Sequence, residues 1–202
     1  MSLKSKKKAT IPPVDGGTYS AICVGIVDLG EQLNDYGGSK KYEEKVLFIW
    51  ELPDVTINDN GEQKPRWLSK EYTNIISDKS NLSRMLTSWR GKQLSNEDIG
   101  EHGFDLTMML GEACLLQVII KETKNGNLIN DVTGIVGYIT GMPKPQTLNK
   151  LLKFDIDEWN DDVFKDLPEW IQDKIKKSTQ YQTLHAPNTT IEVKAPGEEC
   201  PI

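Results

Sequence analysis

CLLQVIIKETKNGNLINDVTGIVGYI, Cys114 to Ile139, is the stretch on which the fold turns. Its two halves, Cys114 to Glu122 and Leu128 to Ile139, are rich in β-branched and aliphatic residues, the composition of buried strands. Between them Asn125 and Gly126 supply the positive backbone angles of a hairpin turn cheaply, so the two runs are predicted to be antiparallel neighbours. Gly134 and Gly137 inside the second run would permit a bulge or a sharp coil of the sheet, which a barrel needs.

Outward from this hairpin, toward the amino terminus, three more strands are expected. TYSAICVGIVD, Thr18 to Asp28, is bounded by Gly16-Gly17 and Gly30. Gly30 to Lys41 reads as a glycine-containing loop. Tyr42 to Leu52 follows, polar at its start and apolar at its end. Pro53 closes it, and Asp54 to Pro65 reads as a polar turn region around Asp59-Asn60-Gly61. A third strand is expected from Arg66 or Trp67 to about Ile76. Then Asp78 is a plausible N-cap, and Leu82, Met85, Leu86 and Trp89 fall on one face of a helix that Gly91 stops. Strand, strand, strand, helix, strand, strand is the element order of the OB-fold. The expected fold is therefore mainly β: a five-stranded Greek-key barrel with one helix between strands three and four. An open five-stranded sheet, the rival, would leave one face bare for want of further helices within residues 18–140.

The ends are different in character. Residues 1–17 read as a flexible basic arm, with four lysines and no acid before Ile11. Residues 141–202 read as an appendage: an acidic linker from Asp155 to Asp166, a short helix from Leu167 to Ser178 with Trp170, Ile171 and Ile175 on one side, and a polar tail beyond Thr179. Net charge is −6, distributed as +4 over residues 1–10, −4 over 11–154 and −6 over 155–202. Such a balance lacks the basic signature of a duplex-DNA binder but leaves room for a local basic groove. No apolar run approaches the ~18 residues of a membrane span, and the odd, scattered cysteines Cys23, Cys114 and Cys200 suit a reducing cytoplasm.

Catalytic chemistry finds no foothold in the sequence. His102 and His185 have no metal-spaced partners, and no phosphate-cradling or nucleophile-elbow motif occurs. Asp155, Asp157, Glu158, Asp161 and Asp162 lack the spacing of a calcium loop, and Cys23 and Cys114 read as small core residues. No enzyme, metal or cofactor is expected. Single-strand binding is better supplied, because it needs cations for phosphates and flat rings for bases. Tyr36, Lys40, Lys41 and Tyr42 cluster in the first loop, with Lys45 on strand two. Arg66, Trp67, Lys70 and Tyr72 lie on strand three, and Lys121 and Lys124 at the last hairpin. In an OB-fold these elements flank the binding groove.

The runs GTYSAICVGIVDLG, DKSNLSRMLTSWRG, GFDLTMMLGEACLLQV and LPEWIQDKIKKS resemble a family of small bacteriophage-encoded proteins from replication and recombination gene clusters, over roughly residues 11–182. The resemblance implies an OB-fold and a role in binding single-stranded DNA in the host cytoplasm, and it carries no binding residues with it. An acidic region such as Asp155 to Glu169 would suit recruitment of replication or recombination proteins, and homo-oligomerisation is left open. The alternatives are a phage structural or protein-interaction subunit that binds no nucleic acid, and an enzyme or nuclease accessory.

Overall fold

A computed structural model of the chain describes residues 11–59, 61–101 and 103–186. The basic residues 1–10, His102, Cys200 and the tail from Pro187 onward lie outside the described residues.

Six strands form one sheet. β1 (Gly17–Tyr36), β2 (Ser39–Asp59), β3 (Glu62–Thr73), β4 (Ala113–Glu122) and β5 (Leu128–Gly137) are ordered β3-β2-β1-β4-β5 with antiparallel neighbours. The short β6 (Leu152–Phe154) pairs in parallel with β1 at Gly25 to Val27. Between β3 and β4 lie α1 (Asn81–Arg90), α2 (Asn96–Ile99) and a 3₁₀ turn at Leu106–Met109. The described residues end in three short helices, α3 (Asp161–Asp166), α4 (Glu169–Ile175) and α5 (Thr179–Leu184).

The strands are longer than the sequence reading expects. Gly30 does not end β1: at φ 68° it sits at a register slip opposite Lys45, with its N–H donated to Asp28 Oδ1 at 2.8 Å. The expected loop from Gly30 to Lys41 is instead a hairpin that turns at Gly37 and Gly38, both with positive φ. The Asp54 to Pro65 region likewise continues as paired β2 and β3 past a slip between Leu52 and Thr56. The outer part of the β1–β2 hairpin is largely exposed, whereas in β2 the half-buried Val55 and Ile57 alternate with exposed Asp54, Thr56 and Asn58, the pattern of a strand wet on one face. The β4–β5 hairpin forms where expected, though its loop is longer than two residues. Gly126 takes φ 77° and Thr123 pairs with Asn127 across the loop. A register slip falls beside Gly134, and Gly137 lets α1 approach, since a Cβ there would lie 2.8 Å from the Trp89 carbonyl.

One face of the sheet curls around α1. Phe48, Trp50 and Tyr72 meet Leu82, Met85, Leu86 and Trp89 in a first core that also takes Cys23, Cys114, Leu116 and Ile135. The helix starts two residues later than expected. Ser80, not Asp78, is its N-cap, accepting from the Ser83 N–H at 3.1 Å, and Gly91 at φ 69° ends it. Trp89 Nε1 donates to the Ala113 carbonyl at 3.0 Å and ties α1 to β4.

The sheet does not close into the expected barrel. Along the seam between the edges β3 and β5, side chains stand where ladder hydrogen bonds would. Lys70 Nζ donates to the Val132 carbonyl, and Ser88 Oγ donates to the Ile135 carbonyl at 2.6 Å. Those acceptors, once capped by side chains, are taken from a pairing strand.

The opposite face of β1 and β2 is not bare. Ile22, Val24, Val27, Leu29, Leu47 and Ile49 form a second core with Phe154, Ile156, Phe164, Leu167, Ile171 and Ile175. The stretch Asp155 to Asp166, read from sequence as a linker, thus contributes Ile156 and Phe164 to a layer roofing the sheet. The expected tail holds α5, whose Tyr181 packs on the same core. Glu51, fully buried at the margin of this layer, accepts from the Leu148 N–H at 2.7 Å, from Thr147 Oγ1 and from Asn149 Nδ2, clasping the segment that leads into β6.

Candidate nucleic-acid interface

The residues expected to bind single strands are divided among four places. Lys40, Lys41 and Tyr42 are exposed on the β1–β2 hairpin, where Lys41 lies 3.6 Å from Glu43; Tyr36 ends β1, and its side chain is outside the described residues. Lys121 and Lys124 are exposed on the β4–β5 hairpin, Lys121 3.9 Å from Asp131. Lys45 is half-buried and donates to Glu43 at 2.7 Å and to Thr73 Oγ1 at 2.8 Å. The Lys45 hydrogen bond, helped by Asn34 and by the charges of Lys45 and Lys41, holds the Glu43 carboxyl down at about 2.

Three expected contacts on β3 are corrected by the structure. Tyr72 belongs to the first core, its ring edge-on to Phe48 at 5.8 Å, and burial with the nearby Asp131 charge pushes its hydroxyl pKa up. Trp67 points the other way and packs half-buried against the second core, beneath the C-terminal layer. Arg66 is half-buried, with a buried Nε lacking a partner and a pKa lowered by desolvation. The outer face of β2, with Trp67 at its β3 border, is covered here by the chain's own carboxy-terminal residues.

A different groove gathers cations. It has a volume of about 950 Å³ and runs along the open seam, between the end of β3, the outward side of α1 and the β4–β5 pair. Lys45, Lys70, Lys79 and Arg84 line it, against one carboxylate, Glu71, which is paired with Lys174 of α4. Lys70 is engaged with Asp131 at 3.4 Å and with Val132, whereas Lys79 and Arg84 are exposed. Ser77, Ser80, Ser88, Thr133 and Gln117 add short polar side chains. Of the eleven residues singled out from sequence, only Lys45, Lys70 and Tyr72 line this groove. Lys79, Arg84 and the serines were missed. A signal for Arg84 was present, because Asn81, Arg84 and Ser88 follow the same helical spacing as the apolar residues but on the other side of α1.

A second groove of about 560 Å³ has the opposite sign. Asp28, Glu44, Asp105 and Asp155 line it, with Lys153 the one basic residue among its lining residues. Burial, reinforced by Asp155, Asp157 and Glu44 against the opposing Gly30 hydrogen bond, pushes the Asp28 carboxyl up to about 6. A polyanion would be repelled there and attracted to the first groove.

Among the described residues no group of three His, Cys, Asp or Glu side chains could hold a metal ion. Burial pushes the Cys23 thiol up to about 12 and Cys114 well above the ordinary thiol range, which leaves both as poor nucleophiles. No helix among the described residues is long and apolar enough to cross a membrane. No protein-family model matches this chain, and no curated protein sequence does.

Proposed function

We propose that this chain is a non-catalytic single-stranded DNA-binding protein, with the polynucleotide lying in the groove along the β3/β5 seam. The observation that carries the reading is the convergence of Lys45, Lys70, Lys79 and Arg84, from β2, β3, the turn before α1 and α1 itself, on one groove with a single, already paired carboxylate. The strand order, with a helix between β3 and β4, supports an OB-fold opened along that seam, with Lys70 bridging the gap. The resemblance to phage replication and recombination proteins supports a place in those processes. The exposed acids Asp157, Glu158, Asp161 and Asp162 are then the surface offered to other proteins of the same process.

Fluorescence anisotropy of a labelled oligothymidylate tests the assignment. The double substitution Lys79→Glu, Arg84→Glu should weaken binding by about tenfold or more, since it replaces two attractive charges by two repulsive ones. Lys40→Glu and Lys124→Glu, on the hairpin tips, should change it by less than about threefold. The opposite ranking, or no binding at low salt, would overturn the reading.

A protein-interaction subunit is the second reading, favoured by Ile119, Ile129 and Val136, which stand exposed on the β4–β5 pair. Light scattering of the full chain against an Ile119→Ser, Ile129→Ser variant separates the two: a loss of assembly, in a chain that binds no oligonucleotide, would favour the second.

A further inference from the structure

From the placement of the aromatic rings we infer that the groove grips only the sugar–phosphate backbone and leaves the bases unstacked, so that its ligand class is single-stranded nucleic acid irrespective of base. This rests on the reading above and specifies how that site recognises its ligand. Sequence-tolerant single-strand binders ordinarily gain about five- to a hundredfold in affinity for each base stacked on a ring. The groove has no ring free to do so. Its one aromatic lining residue, Tyr72, is buried and held edge-on against Phe48. Trp50 and Trp89 are shut in the first core, while Trp67 and Trp159 pack in the second. Among the described residues the aromatic side chains that stand most exposed, Tyr42 and Trp170, lie on the β1–β2 hairpin and on α4, and neither lines the groove.

The rest of the groove wall is cationic, polar or aliphatic, the last from Ile75, Met85, Ile135 and Val136, and none of these side chains offers a flat ring. Lys79 and Arg84 are exposed on the α1 side, whereas Lys45 and Lys70 already hold protein acceptors. Phosphate neutralisation is therefore the main source of affinity, and the number of cations bounds it. With roughly 0.7 counterion-release units per contact on a single strand, two to four contacts correspond to a log–log salt slope between about −1.4 and −2.8.

The test compares a labelled oligothymidylate with an abasic strand of the same length, each titrated with the full chain at several salt concentrations. Affinities within about threefold of each other, and a common slope in the stated range, are expected. Arg84→Gln should weaken both strands by the same factor, and tryptophan emission should stay unchanged at saturation. Abasic binding weaker by about tenfold or more, or quenching of tryptophan, would overturn backbone-only recognition while leaving the groove as the binding site. Absence of binding by both strands at low salt would overturn the single-strand reading itself, and this inference with it.

Discussion

The outer surface of one sheet has two fates. Where β1 meets β2, Ile22, Val24, Leu47 and Ile49 lie under Ile156, Ile171 and Ile175, all 2 % exposed or less. Where β4 meets β5, Ile119 and Ile129 stand at 45 % exposure with nothing over them among the described residues. Their composition is similar, and both are stretches of aliphatic β-strand. The difference is that β2 is apolar on two successive residues at a time, Val46 through Trp50, whereas outward positions of β4 and β5 alternate with Gln117, Lys121, Asp131 and Thr133. A strand apolar on both faces demands two layers. The C-terminal helices supply the second, and in doing so they displace the candidate polynucleotide path to the seam.

Breaking the roof should show the largest effect. Ile171→Ala removes a fully buried side chain and is expected to cost about 2–5 kcal/mol in denaturant unfolding, with red-shifted emission as Trp67 becomes wet. Ile129→Ala, on the bare half, should cost no more than about 0.5 kcal/mol. Equal effects would mean that the two halves are covered alike in solution. Glu51→Ala comes next: it removes the buried carboxylate that accepts from the Leu148 N–H and frees the 147–149 segment, for about 1–3 kcal/mol.

The last of these effects is a pH dependence centred on the acidic groove that Asp28 lines. Asp28 titrates at about 6 in the folded chain, raised from the ordinary 3.8, by burial first and by the roof acids Asp155 and Asp157 among others. The folded chain therefore keeps a proton that the unfolded chain has lost, and this group's contribution to stability falls as pH rises from about 4 to about 6. Asp28→Asn should raise the thermal midpoint at neutral pH and leave it nearly unchanged near pH 4. Unchanged midpoints at both would place Asp28 in a wetter setting than its position in the acidic groove allows.

Much of the first core was legible because its periodicities are local. The helix face of Leu82, Met85, Leu86 and Trp89 and the hairpin around Gly126 form as expected, since each is specified within a dozen residues. The candidate site was far less legible. Tyr72 and Trp67 looked alike as strand aromatics, yet one enters the first core and the other the second. Trp67 and Lys70 are three residues apart on a strand, which sends their side chains to opposite faces, so Trp67 cannot lie beside that cation in one channel. Barrel closure was inferred from the lack of a covering helix inside residues 18–140. The cover came from residues 152–184 instead.

Sequence alone determined the central parts of the five long strands and where α1 lies, because side-chain pattern and turn chemistry act through neighbours in the chain. Only the tertiary structure decided what covers each face, how the seam between β3 and β5 is held, and which cations share a groove. Lys45, Lys70, Lys79 and Arg84 come together through the coiling of the sheet about α1. Periodicity records that a side chain is buried, but the partner that buries it is chosen by packing between segments more than a hundred residues apart, as in the meeting of Leu29 with Ile175.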